Sequence, residues 1–133
     1  MFRVVVVDDD DDMGQAICGV VQDSLNVDCV NFTSLVDLQN NSSVLNNCGI
    51  VLLDINLGAG QPDGLDAYSW LQSTGFKGKI CFLTAYSRGT PMVMRATTSG
   101  SDVYQKPISA DKICEIVEAA LGVMSEAKKD RDI

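Results

Sequence analysis

The chain has 133 residues, 46% hydrophobic and 21% charged, which is the composition of one globular domain and excludes a disordered chain. Its net charge is −8, from 18 acidic and 10 basic residues, and this balance argues against binding a nucleic-acid backbone. Histidine is absent, which removes Ser-His-Asp triads, His-ligated zinc and phosphohistidine carriers.

Residues 2–7 read as a strand buried on both faces, because valine runs unbroken from position 4 to position 7. That run is too short to span a bilayer or to form the core of a signal peptide, so a cytoplasmic protein with no membrane segment is expected. Five aspartates follow, at 8–12. Asp10, Asp11 and Asp12 suit a helix start, where carboxylates oppose the positive end of the helix dipole. Met13, Ala16, Ile17, Val20, Val21 and Ser24 fall at helical spacing and predict that helix's inner stripe. Residues 27–32 read as a second strand. A short helix is predicted over 34–40, broken by Asn40, Asn41, Ser42 and Ser43.

Residues 49–53 form a third apolar run, ended by Asp54, and a glycine-rich loop covers 56–64. A helix follows over 65–73, with Gly75 suited to its C-terminal cap. Residues 79–83 predict a fourth strand. Residues 90–99 predict a helix weakened by threonine and stopped by Gly100. A short fifth strand is expected over 102–105. Ser109 then caps a last helix with the stripe Ile113, Ile116, Val117, Ala120, Leu121 and Met124. The domain is expected to fill residues 1–125, with a polar tail over 126–133. The five cysteines (18, 29, 48, 81 and 114) contain no CxxC pair and predict buried, reduced thiols.

Five strands alternating with helices predict an α/β fold: a doubly wound, five-stranded parallel sheet in the order 2-1-3-4-5. The first and third strands are then neighbours, and Asp8, Asp9 and Asp54 converge at their carboxyl ends. Three like charges that close together demand a shared proton or a divalent cation. Oxygen ligands without His or Cys select Mg²⁺, or Mn²⁺ in its place. Thr84 and Lys106 end the fourth and fifth strands on the same side. A carboxylate nucleophile at Asp54, a divalent metal, a hydroxyl and an ammonium make up a phosphoryl-transfer site.

VVDDD at 6–10, LLD at 52–54, TA at 84–85 and KP at 106–107 together resemble the receiver domain of two-component response regulators. Thr84 lies 30 residues after Asp54 and Lys106 22 residues after Thr84, the spacing of that family. The resemblance covers essentially the whole chain. It implies a flavodoxin-like three-layer sandwich forming a single receiver unit within these residues. It also implies that Asp54 accepts a phosphoryl group from a phosphohistidine on a histidine kinase or histidine phosphotransfer protein. Asp9 would bind Mg²⁺ directly, Asp8 mainly through water, and the Asn56 backbone carbonyl would be a further ligand. Thr84 would move to hydrogen-bond the phosphoryl group, Lys106 would pair with it, and the Lys106–Pro107 bond would be cis.

Asn56 and Tyr86 occupy the positions that tune dephosphorylation in that family, with the Tyr86 ring shielding the acyl phosphate. Phosphorylation would shift the segment 86–100 and the fifth strand toward a second pre-existing state, to be read by an output protein, with homodimerisation left open. Two features depart from the family pattern. The loop after Asp54 is longer, which predicts a looser loop. Val103 stands where an aromatic residue is usual, and strand alternation sends the neighbouring Tyr104 to the opposite face. Two alternatives remain at this stage. One is a haloacid-dehalogenase-like phosphatase with Asp8 as nucleophile and Asp10 as acid/base, although Asp12 replaces the expected Thr or Val. The other is a degenerate receiver that only binds partners.

Overall fold

A computed structural model describes residues 2–58, 60–86 and 89–122. Five strands form one parallel sheet, β1 (Arg3–Val7), β2 (Asp28–Phe32), β3 (Cys48–Asp54), β4 (Lys79–Thr84) and β5 (Asp102–Gln105), in the order β2-β1-β3-β4-β5. Five α-helices connect and flank them: α1 (Asp11–Leu25), α2 (Leu35–Asn40), α3 (Gly64–Ser73), α4 (Pro91–Thr98) and α5 (Ala110–Leu121). The expected sheet order and sandwich are therefore present.

The period of two along each strand divides the core into two layers. Val4, Val6, Ile50, Leu52, Cys81 and Leu83 pack against α1 and α5. Val5, Val7, Val51, Leu53 and Phe82 face the opposite way, onto α2, α3 and α4. The strands β1, β3 and β4 carry buried side chains on both faces, which accounts for their continuous apolar runs. The edge strands β2 and β5 are only partly buried.

Polar residues set the helix starts. Asp10 caps α1 by accepting from Met13 N, Ser34 caps α2, and Ser109 caps α5. Helix α3 opens on a capping box in which Asp63 and Asp66 each accept from the other's backbone N–H. Helix α4 forms in spite of its threonines. Pro91 sits in its first turn, and the Thr97 and Thr98 hydroxyls donate to the carbonyls of Val93 and Met94, one turn back.

The structure departs from the sequence reading in one element. Residues Ser42–Asn47, of which the sequence reading makes Ser42 and Ser43 part of a break and assigns the rest to no element, form a 3₁₀ helix whose Val44 and Leu45 pack onto the core. Four cysteines are buried, Cys114 is half-buried, and all five are free, as expected. Among the described residues no helix is long and apolar enough to cross a membrane. Met124, the boundary near 125 and the polar tail lie outside the described residues.

Candidate functional site

The sheet register brings the sequence-predicted residues to the same end of the sheet. Val7 pairs with Leu53, Asp54 with Leu83 and Thr84 with Gln105. Continuing that register sets Asp8 level with Asp54, with Thr84 one residue and Lys106 two residues further along, and all four meet in one crevice at the carboxyl edge of the sheet. Asp8, Asp54 and Thr84 are buried there, Asp9 is exposed at the mouth, and Lys106 enters from the end of β5. Backbone bonds hold these strand ends: Asp8 N donates to Phe32 O at 3.0 Å, Ile55 N to Leu83 O at 3.1 Å, and Lys106 N to Thr84 O at 2.7 Å. The Lys106–Pro107 peptide bond is cis.

Lys106 Nζ donates to Asp8 Oδ2 at 2.6 Å and to Asp54 Oδ2 at 3.1 Å. One ammonium therefore serves two buried carboxylates. Asp8 Oδ1 also accepts from Asp10 N at 2.9 Å, and Asp54 Oδ1 accepts from Asn56 N at 3.3 Å. Burial pushes the Asp54 carboxyl up to about 6, aided by repulsion from Asp8 and only partly countered by Lys106. Burial pulls the Lys106 ammonium down, but the Asp8 hydrogen bond and the two negative charges outweigh this and leave it above its ordinary value. The crevice thus holds more negative charge than Lys106 can offset.

One carboxylate oxygen from each of Asp8, Asp9 and Asp54 lies within 4.8 Å of the other two. An all-oxygen donor set of this compactness fits a small, hard divalent cation. Asn56 is exposed beside this cluster.

The two ends of the loop after Asp54 are held against the site. Leu57 is 2% exposed, and Gly64 N donates to Ile55 O at 2.8 Å. A Cβ at position 64 would collide with the Asp54 carbonyl and lie 2.8 Å from Ile55 Cα, so only glycine lets α3 begin this close to the end of β3. Gly58, at a φ of 109°, brings the loop back beside the Asp9 carboxylate.

Opposite that loop, Asn56 Nδ2 donates to the Tyr86 hydroxyl at 2.7 Å and bridges the segments after β3 and β4. The Thr84 hydroxyl accepts from Tyr86 N at 2.9 Å. Gln105, which the sequence reading did not single out, donates from Nε2 to Tyr86 O at 3.0 Å and tethers the same segment to β5. No local motif marks that residue; its role follows from the β4–β5 register alone. Thr84 and Tyr86 also border a groove of about 570 Å³ between α4 and β5, lined in part by Val93, Met94 and Val103. Val103 packs on the α4 side of the sheet and Tyr104 on the α1/α5 side, as strand alternation predicts.

The phosphatase alternative loses its acid/base in this geometry. The Asp10 carboxylate is exposed and caps α1 by accepting from Met13 N.

Comparison with known proteins agrees with this arrangement. The family described as "Response regulator receiver domain" matches residues 4–118. The tetrathionate response regulatory protein TtrR of Salmonella typhimurium is 31% identical over the whole chain, which spans 63% of that protein's length. The fold is shared with a response regulator receiver protein from Burkholderia phymatum (TM-score 0.76, 24% identity, covering 95% of this chain and 99% of that one). It is shared also with a receiver domain protein from Clostridium thermocellum (TM-score 0.77, 16% identity, covering 100% of both chains). With the family's match running from the first strand into the last helix and its acidic crevice assembled at the sheet edge, the chain belongs to the response regulator receiver domains.

Proposed function

We propose that the protein is a phosphoacceptor switch in which Asp54 takes a phosphoryl group from a phosphohistidine of a histidine kinase or histidine phosphotransfer protein. The observation that carries this reading is the buried Asp54 carboxylate, 3.1 Å from Lys106 and clustered with the Asp8 and Asp9 carboxylates. Asp54 Oδ attacks phosphorus, the donor's P–N bond breaks, and the imidazole leaves as a neutral ring after protonation. The product is an acyl phosphate on Asp54.

Asp8, Asp9, Asp54 and the Asn56 backbone carbonyl are the residues proposed to hold Mg²⁺, or Mn²⁺. When bound, that ion offsets the carboxylate charge and draws charge from the phosphoryl oxygens. Lys106 sits where its ammonium can pair with a phosphoryl oxygen, and Thr84 supplies a hydroxyl donor once it turns from Tyr86 N. The Tyr86 ring, held by Asn56, screens the acyl phosphate from water. The chain in this reading catalyses its own phosphorylation and dephosphorylation, acts in the cytoplasm and signals to an output protein through β5 and the segment 86–100.

The test is incubation with a histidine-phosphorylated donor, with and without Mg²⁺, read by intact mass. One phosphoryl group should appear only with the metal and should be lost in Asp54→Asn. Labelling that maps to Asp8, or that persists in Asp54→Asn, overturns the assignment.

A further inference from the structure

The seam between α1 and β2 carries two thiols that the phosphoacceptor reading does not use. Cys18 on α1 and Cys29 on β2 are 7% and 5% exposed, and their Sγ atoms lie 2.7 Å apart. Non-bonded heavy atoms rest at roughly 3.5–4.0 Å, so these sulfurs are held inside ordinary contact distance.

The seam itself accounts for this approach. One turn before Cys18, a Cβ on Gly14 would lie 2.9 Å from Asn31 Nδ2, so glycine lets α1 settle onto β2. Asn31 Nδ2 donates to Asp11 Oδ1 at 3.0 Å on one side of the pair, and Gln22 Nε2 donates to Cys29 O at 3.0 Å on the other. The remaining thiols have no such neighbour. Cys48 Sγ donates to a backbone carbonyl, and burial pushes the Cys48 and Cys81 thiols up to about 11. Contact with Cys29 lowers the Cys18 thiol, whereas the same contact and burial raise Cys29.

We propose that Cys18 and Cys29 form a redox modification site that a hydroperoxide oxidant closes into an intramolecular disulfide, stapling α1 to the edge strand β2. The Cys18 thiolate attacks a peroxide oxygen, the O–O bond breaks, and the products are a Cys18 sulfenic acid and, for hydrogen peroxide, water after protonation. Cys29 sulfur then attacks Cys18 sulfur, the S–O bond breaks and a second water leaves. In sum, two thiols and one peroxide give one disulfide and two waters. A low-molecular-weight dithiol reverses the step by exchange. None of the residues of the acidic crevice takes part, so this site stands independently of the phosphoryl-transfer reading.

The test exposes the folded full chain to hydrogen peroxide, alkylates free thiols in denaturant and digests with a protease that cuts before aspartate. Such cleavage separates residues 12–22 from residues 28–36, and leaves Cys48, Cys81 and Cys114 in other peptides. The expected result is two fewer alkylated thiols per chain and a linked 12–22/28–36 species that dithiothreitol resolves. Cys18→Ser and Cys29→Ser should each abolish it. Mapping of the wild-type chain carries the test even where a variant does not fold. Oxidation confined to the more accessible Cys114, with positions 18 and 29 both still alkylated, overturns the proposal, as does a link that forms only after unfolding in urea.

Discussion

Replacing Asp54 by Asn should make the metal-free protein more stable, although it removes a partner of Lys106. The carboxyl sits at about 6 in the folded protein against an ordinary 3.8. Below about pH 4 it is protonated in both folded and unfolded chains and contributes nothing. As pH rises from about 4 to about 6, the unfolded chain gives up the proton while the folded chain keeps it, so folding stability falls. Above that window the charged carboxylate is buried at a fixed cost. At 1.36 kcal/mol per pKa unit, that cost is about 3 kcal/mol. The amide introduced by Asp54→Asn mimics the protonated acid, and Asp8 still accepts from Lys106. Urea unfolding of both proteins in EDTA, at several pH values between 4 and 8, should show Asp54→Asn gaining through that window and then levelling off at up to about 3 kcal/mol. Saturating Mg²⁺ should narrow the gap, because a ligand at tenfold its Kd adds about 1.4 kcal/mol to whichever form binds it. A pH-independent difference, or an Asp54→Asn protein less stable than wild type at neutral pH in EDTA, would refute the argument that uncompensated charge burdens this crevice.

Removal of Lys106 acts in the opposite sense. Lys106→Ala strands two buried carboxylates and should cost about 3–5 kcal/mol at pH 7 by urea denaturation, less at pH 4–5 where Asp54 is protonated. Gly64→Ala drives a methyl group against the Asp54 carbonyl and should cost about 1–3 kcal/mol, with slower phosphoryl labelling as α3 is pushed back. Tyr86→Ala uncovers the acyl phosphate and should shorten its lifetime in a radiolabel-decay assay with little change in loading. Peroxide-treated protein, linked across an 11-residue separation, should unfold at higher urea than its reduced form, by up to about 3 kcal/mol of stability.

How much of this was legible depended on whether the determinant was local. The valine run of β1, the apolar stretch ending at Asp54 and the capping Ser109 announce themselves because each acts through its own backbone or its own face. Residues 42–47 do not, since polar Asn and Ser favour a break and only packing of Val44 and Leu45 onto the core secures the 3₁₀ helix. The loop after Asp54 reads as loose from its length. Its ends are anchored by the buried Leu57 and the close seat of Gly64, which loop length does not reveal. The Asn56–Tyr86 bond joins two residues 30 apart whose positions were both singled out, but their contact depends on where two loops fold. The Cys18–Cys29 approach is less visible still. It needs the phase of α1 and the register of β2 to be known together.

The site residues were readable for a reason that is itself physical. Each ends, or follows directly on, a strand, so the hydrophobic pattern that identifies the strand also locates the residue. Parallel register then fixes which strand ends meet, and a one-residue slip would move β3's buried set to the other face and take Asp54 out of line with Asp8. Burying polar groups is costly, and among the described residues only Asp8, Asp54, Thr84 and Glu118 are polar side chains in the buried class. Three of those four share one crevice, with one lysine between two of them. Structural ion pairing alone would favour matching that lysine with a single carboxylate. The surplus negative charge, with exposed Asp9 added at the mouth, supports the proposed cation-dependent phosphoacceptor over a purely structural strand end.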